Sequence, residues 1–142
     1  MTFKFDRRPY GPESTPQEVQ AIKECIFLCD PEIIYWRELP VQSAFQLDLF
    51  EQRLNELSKH GSGYDLVIDL VEAGPPEPEI RERLKQLFAG QKKLRRVAVF
   101  TGKNFMLNVA AKFVLGGSIG LENFSVHQTF EQALREVHDG ER

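Results

Sequence analysis

Long apolar runs and basic clusters are both missing from this sequence, and each absence excludes a class of partner. The longest apolar segment, residues 105–115, contains an Asn and a Lys and falls short of the roughly 20 apolar residues that span a membrane. No apolar run of signal-peptide length follows the first methionine. The largest basic groups are two adjacent pairs, at residues 92–93 and 95–96, in a chain of formal net charge −3. We therefore expect a cytoplasmic protein that has no membrane span and does not bind nucleic acid.

Cysteine is also scarce, since Cys25 and Cys29 are the only two. If both lie on one strand, their side chains point to the same face about 13 Å apart, which is too far for a disulfide. None of the three histidines stands at a metal-ligand spacing from them. We therefore expect two buried, reduced thiols, no metal site and no cofactor.

No set of residues in this chain has the pattern of a catalytic site. Asp65 and Asp69 share one strand face, but no His, Cys or Ser near them completes a nucleophile and base set. Asp69 is better explained as an anchor for loop N–H groups at the end of its strand, and His127 as an exposed polar residue on an outer strand. The sequence therefore predicts a protein that is not an enzyme.

Residues 64–117 carry the strongest structural pattern in the chain, which alternates between strand and helix. Residues 64–71 are almost entirely apolar or β-branched, as in a central strand that is covered on both faces. After a Pro-rich break, apolar residues recur at helical spacing from Ile80 to Phe88, and a second short strand follows at residues 96–101. A strand–helix–strand order with so long a connection predicts parallel strands with a right-handed crossover.

The residues before and after this unit extend it on both sides. Residues 23–29 and 32–39 predict two strands joined by the turn Asp30-Pro31, hence an antiparallel hairpin. Ser43 with Gln46 forms a capping-box pattern at the start of a long helix. An outer strand and a last helix are predicted near the end of the chain.

These elements predict an α/β fold with a mixed, mostly parallel sheet of four or five strands and helices packed against it. We expect a single domain over residues 22–142. Residues 1–21 form an N-terminal arm that is either loosely packed or docked through Phe3, Phe5 and Tyr10.

Four segments of this sequence resemble a known family. They are Tyr64-Asp-Leu-Val-Ile-Asp-Leu with the acidic, Pro-rich helix start that follows it, Arg96-Val-Ala-Val-Phe-Thr-Gly-Lys-Asn, Asn108-Val-Ala-Ala-Lys-Phe-Val and Phe130-Glu-Gln-Ala-Leu. In this order they are similar to the STAS domain, the fold of bacterial anti-sigma-factor antagonists, and especially to its divergent SpoIIAA-like branch, which has also been compared with Sec14-type lipid-binding domains. The resemblance covers roughly residues 23–138 and implies a STAS-like fold with a regulatory function through protein–protein contact.

The sequence departs from this family at the position of the serine whose phosphorylation controls partner binding. Its phosphorylated members carry Asp-Ser-Ser-Gly at the start of the helix after the third strand, where phosphorylation of a Ser breaks the complex with the anti-sigma kinase. The corresponding place here is Glu77-Pro78-Glu79-Ile80, and no Ser or Thr occurs between Tyr64 and Thr101. We therefore expect a regulatory module that binds a protein partner without the serine phosphorylation switch.

The expected partner surface is the edge at which the parallel strands end. Ligands and partners of open α/β sheets tend to meet that edge, because loops there vary freely over a rigid scaffold. The residues predicted to bind a partner are Gly74, Pro76, Glu77, Pro78, Glu79, Thr101, Gly102, Lys103 and Asn104. The turn formed by the last four also fits a plain strand-to-helix connection or a small anion contact. It lacks the longer glycine-rich loop of nucleotide triphosphate sites.

The apolar segment 105–115 leaves two alternatives open. A helix that is apolar on nearly all sides is usually buried by its neighbours, here in the core or at a homodimer interface. It could instead line a pocket for a small apolar, lipid-like ligand, to which Phe and Met side chains adapt. The residues of this apolar ligand or dimer face are Phe105, Met106, Val109 and Phe113. A carrier or sensor of such a ligand is therefore the alternative to a protein-binding module.

Overall fold

The computed structural model describes residues 3–103 and 123–139. Helices and strands are interspersed along these residues, which confirms the α/β class. In chain order they are α1 (Pro16–Lys23), β1 (Ile26–Asp30), β2 (Ile33–Arg37), α2 (Ala44–Ser58), β3 (Tyr64–Asp69), α3 (Pro78–Ala89), β4 (Leu94–Phe100), β5 (Phe124–His127) and α4 (Phe130–Asp139).

The five strands form one sheet whose spatial order, β1-β2-β3-β4-β5, follows the chain. β1 and β2 pair antiparallel as the predicted hairpin, and β2 to β5 run parallel, so the expected mixed and mostly parallel sheet is confirmed. Ile68 on β3 lies directly opposite Val99 on β4, at the centre of this sheet. The steps from β2 to β3 and from β3 to β4 move in the same direction, so right-handed crossovers place α2 and α3 on one face.

The face of the sheet that α2 and α3 cover carries the main apolar core. Trp36 of β2 meets Phe50 of α2 edge-on, with ring centroids 5.0 Å apart, and stacks on Phe88 of α3 at 5.7 Å. At the outer side of the two helices, the guanidinium of Arg83 bonds to the carboxylate of Asp48 at 2.8 Å. The aromatic core and this ion pair together fix where α3 begins relative to α2.

The N-terminal arm is docked against the same core, which decides between the two alternatives for it. Phe5 and Tyr10 are both buried, and their rings meet edge-on at 5.6 Å. The carbonyl of Tyr10 accepts a hydrogen bond from the hydroxyl of Ser43 at 2.6 Å, and the guanidinium of Arg8 lies 4.1 Å from the centre of the Tyr10 ring. The arm is thereby tied to the start of α2.

The second face of the sheet is covered by α4, which lies against β3, β4 and β5. Ala133 and Val137 of this helix are buried against Val67 and Ala98 in a smaller apolar core. Both faces of β3 and β4 are therefore packed, as the nearly continuous apolar pattern of these strands predicts.

The predicted start of α2 is confirmed in detail. The hydroxyl of Ser43 accepts the N–H of Gln46, and the side chain of Gln46 accepts the N–H of Ser43 in return. The first strand begins later than predicted: residue 23 belongs to α1, so the chain enters the sheet only at Ile26.

The expectation of two buried thiols is wrong for Cys29. Cys25 precedes β1 and is buried, whereas Cys29 is exposed. β1 is an edge strand of the sheet, and all of its residues after Ile26 are exposed whichever face they point to, so Cys29 is exposed with them. Burial raises the pKa of the Cys25 thiol to about 12, which keeps this thiol neutral at physiological pH.

Candidate functional site

Three loops meet at the carboxyl edge of the sheet, the end at which β2 to β5 terminate. They are the strap (residues 40–43) between β2 and α2, the β3–α3 loop (residues 70–77), and the turn after β4 (residues 101–103). The N–H of Gly74 donates to the carbonyl of Pro40 at 3.2 Å, and the N–H of Leu70 donates to the carbonyl of Phe100 at 2.9 Å. The β3–α3 loop therefore bonds to the strap on one side and to the end of β4 on the other.

A groove of about 670 Å³ lies between the strap and the β3–α3 loop, within the size range of ligand pockets. Its walls are mostly apolar and include Pro9 of the arm, Pro40 of the strap and Pro75 of the loop. Of the residues predicted to bind a partner, Gly74, Glu77 and Glu79 line it. The structure thus brings three predicted residues onto one concave surface and adds the strap and the arm, which the sequence interpretation did not include.

The two acidic residues of the groove stand at the beginning of α3. Glu77 is the N-cap residue but makes no side-chain capping bond, and Pro78 occupies the first position of the helix. Glu77 and Glu79 are exposed, and among the described residues neither carboxylate forms a hydrogen bond or an ion pair. The positive end of the helix dipole favours such charges by about 0.3–1 kcal/mol each. Both carboxylates therefore remain available to a cationic group outside the chain.

The other predicted partner residues differ in exposure. Pro78 is exposed and Pro76 is half-buried. On the turn after β4, Lys103 is exposed, whereas Thr101 is only 1% exposed. Asn104 lies outside the described residues. On the described part of this turn, Lys103 is the side chain that a partner can reach.

Gly102 has a conformational reason to be glycine. Its φ of +66° lies in the left-handed region, which costs residues with a Cβ atom roughly 1–2 kcal/mol. Its N–H donates to the carbonyl of Gln128 at 2.9 Å, which joins the turn to the residue after β5. The presence of glycine here follows from the fold and is not evidence for a binding role.

A buried carboxylate beside the strap was missed by the sequence interpretation. Glu38 follows β2 and is only 4% exposed. Its Oε1 accepts the N–H of Leu39 at 2.9 Å and the side-chain amide of Gln46 at 2.6 Å, and its Oε2 accepts the indole N–H of Trp36 at 3.2 Å. Burial raises the pKa of Glu38 to about 7, and these three N–H donors keep the pKa from rising further.

The signal for this burial is present in the strand pattern. In residues 32–39, alternation places Glu38 on the same face as Ile34 and Trp36, both of which belong to the main core. Acidic side chains are seldom fully buried, so alternation and residue type make opposite predictions here. The three N–H donors satisfy the buried carboxylate, so Glu38 is buried as the strand alternation predicts.

Asp69 anchors loop N–H groups at the end of its strand, as expected. Its Oδ1 accepts the N–H of Val71 at 2.9 Å, and its Oδ2 accepts the hydroxyl of Tyr35 at 2.6 Å. Burial and this contact with Asp69 raise the pKa of the Tyr35 hydroxyl. Asp65 lies at the other end of the strand, where its Oδ1 is 3.6 Å from Nε of Arg95. The two aspartates therefore serve separate structural contacts.

His127 is half-buried, not exposed as expected. Its Nε2 lies 2.8 Å from the hydroxyl oxygen of Ser125 on the same strand face. Burial lowers the pKa of His127, with partial compensation from Glu136. Within residues 3–103 and 123–139, no group of three or more His, Cys, Asp or Glu side chains is arranged to hold a metal ion.

The predicted apolar face formed by Phe105, Met106, Val109 and Phe113 lies outside the described residues. A different pocket, of about 340 Å³, occurs where the arm meets β1 and β2, and the charged side chains of Glu24 and Arg37 are among the residues that line it. Four aromatic rings line it, those of Phe3, Phe5, Phe27 and Tyr35. Phe27 and Tyr35 stack with centroids 4.9 Å apart. The described residues therefore contain one aromatic pocket besides the groove at the carboxyl edge.

Comparison with known proteins adds no identification. Neither a scan against protein-family models nor a search of curated proteins gave a match for this chain. In the two described ranges, no helix is both long enough and apolar enough to cross a membrane. A function is therefore inferred from the residues and their geometry.

Proposed function

We propose that this protein is a STAS-like bacterial regulatory module that binds a protein partner at the carboxyl edge of its sheet and is not an enzyme. The observation that carries the proposal is the groove between the strap and the start of α3. It is concave, mostly apolar, and bears two exposed carboxylates that the fold does not use. Polar groups placed at the mouth of an apolar concavity are typical of binding sites.

The chemistry of the groove indicates the kind of partner segment that fits it. The apolar walls match an apolar side chain, and the carboxylates of Glu77 and Glu79 match a Lys or Arg close to it. Charge complementarity of this kind contributes mainly to specificity and association rate. The β3–α3 loop carries no Ser or Thr, which supports binding without the serine phosphorylation switch.

Site-specific photocross-linking in the native host tests this proposal. A photoreactive amino acid at Ala44, an exposed residue that lines the groove, should capture a discrete partner. The same group at Lys85, an exposed residue of α3 that does not line the groove, should not capture it.

Charge reversal provides the matched control. Glu77→Lys combined with Glu79→Lys should abolish the cross-link at Ala44. Glu82→Lys, an exposed acid of the same helix outside the groove, should leave it intact. A cross-link that persists in the double variant would contradict the proposal.

Binding of a small apolar ligand is the second candidate, and the aromatic pocket at the arm favours it. Native mass spectrometry of the purified protein should then show a bound apolar molecule. Phe27→Ser should remove this mass, whereas Leu28→Ser should retain it, because Leu28 is also exposed but points to the opposite face of β1. A protein that carries no ligand in these spectra would count against this candidate.

A further inference from the structure

The carboxylate of Glu38 is removed from water without an opposite charge to balance it. Its three hydrogen-bond donors are neutral N–H groups, and among the described residues it forms no ion pair. Two of these donors flank the strap, since Leu39 immediately precedes it and Gln46 lies in the first turn of α2. Any displacement of the strap therefore acts directly on the surroundings of Glu38.

The strap itself is held by a few local bonds. The carbonyl of Pro40 accepts the N–H of Gly74, and the side-chain amide of Gln42 donates to the carbonyl of Gly74 at 3.3 Å. The hydroxyl of Ser43 donates to the carbonyl of Tyr10. All four residues of the strap are half-exposed. Segments with few bonds and little apolar burial open at a lower free energy than the core.

Proton binding at Glu38 is linked to this opening. In the closed form, burial raises the pKa of Glu38 from 4.5 to about 7, and in an open form water would return the pKa to its ordinary value. The closed form therefore binds the proton more tightly. As the pH rises from below 4.5 to above 7, the equilibrium constant for opening increases by up to about 300-fold.

We propose that the strap is a pH-sensitive wall of the groove, which closes over protonated Glu38 and opens more readily as the pH rises through neutrality. The consequence for a partner rests on the proposed function, because the groove is the proposed binding site. An open strap changes the shape of the groove, so partner binding would then depend on pH.

The other ionisable groups around Glu38 do not explain such a response. Outside α2 these groups are Cys25 before β1, Tyr10 in the arm, Arg37 on β2 and Asp69 on β3. The charged groups of α2 have partners of their own: Asp48 and Glu51 pair with Arg83, and Arg53 pairs with Glu56 and donates to the carbonyl of Ile26. The thiol of Cys25 stays neutral because burial raises its pKa to about 12. Arg37 and Asp69 point to the opposite face of the sheet, and the hydroxyl of Tyr10 bonds to the N–H of Asp6. No histidine occurs in the first 59 residues.

Amide hydrogen exchange of the full chain between pH 5 and pH 8, corrected for intrinsic exchange rates, tests the inference without a partner. The amides of Leu39 and Gly74 bond to Glu38 and to the strap, respectively. Their opening constants should rise roughly 70-fold over this range. They should also open at a lower free energy than the core amide of Ile68. The rise should vanish in Glu38→Gln and persist in Glu24→Gln, which removes an exposed carboxylate.

Opening constants that do not change with pH, or strap amides that exchange only together with Ile68, would overturn the inference. The pH dependence of the wild-type opening constants tests the inference even if Glu38→Gln does not fold. Failure of the proposed function is a separate outcome, because the strap can respond to pH while the cross-link at Ala44 is absent.

Discussion

Replacement of Ile68 by alanine should lower the free energy of unfolding by about 2.4 to 4 kcal/mol. Ile68 is the last residue but one of β3, the third of the five strands, and is 3% exposed, with Trp36 opposite it on β2 and Val99 opposite it on β4. The three carbons that are lost cost about 2.4 kcal/mol in transfer free energy. Because paired strands hold both sides of the site in place, a cavity should remain and raise the loss towards about 4 kcal/mol.

Urea denaturation followed by the fluorescence of Trp36, the single tryptophan of the chain, measures this loss as a shift of the midpoint at constant slope. Val71→Ala is the matched control, since Val71 lies just beyond the same strand and is 48% exposed, so its change should stay within about 0.5 kcal/mol. A loss below about 1 kcal/mol for Ile68→Ala, or equal losses in the two variants, would show that β3 is not the packed centre of the sheet.

Three further variants separate the roles of buried and exposed polar groups. As the pH rises from 4.5 to about 7, the wild type should lose about 3 kcal/mol of stability relative to Glu38→Gln. The reason is that folding raises the pKa of Glu38, so the unfolded chain releases the proton first. If urea denaturation gave parallel pH profiles for the two proteins, this prediction would be wrong. Glu77→Lys with Lys103→Glu should lower stability by no more than about 2 kcal/mol, the most that reversing a charge at the N-terminus of α3 should cost, yet weaken the cross-link to the partner, so a larger loss would assign these charges to the fold. Tyr35→Phe removes the hydrogen bond to Asp69 and should cost about 1 kcal/mol, and a midpoint equal to that of the wild type would show that this bond contributes nothing net.

Features governed by neighbours in sequence were predictable. The capping box of Ser43 and Gln46 depends on residues three apart, and continuous apolar runs predict the strands β3 and β4. The two loops expected to bind a partner do lie at one edge of the sheet, because parallel strands that pair must end together.

Features governed by distant contacts were not predictable. The exposure of Cys29 results from the position of β1 at the edge of the sheet, which no pattern within β1 reveals. The burial of Glu38 depends on Gln46 of the following helix, whose amide approaches it only once α2 has packed. The groove likewise requires the contact between Gly74 and Pro40, which lie more than 30 residues apart, so its shape could not be derived from either loop alone.

The sheet's strand order has a consequence for how the chain is made. Because each strand follows its neighbour in both sequence and space, the main core can assemble while the protein emerges from the ribosome. On the second face, Val67, Ala98 and Phe100 pack against Ala133 and Val137 of α4, so the nascent chain lacks these contacts until α4 is made. The described residues that line the groove, in contrast, all fall between Pro9 and Ile80. A translation arrest after β4 should therefore yield a chain in which the groove has already formed while Val67 and Ala98 lack their contacts with α4 and are prone to aggregate.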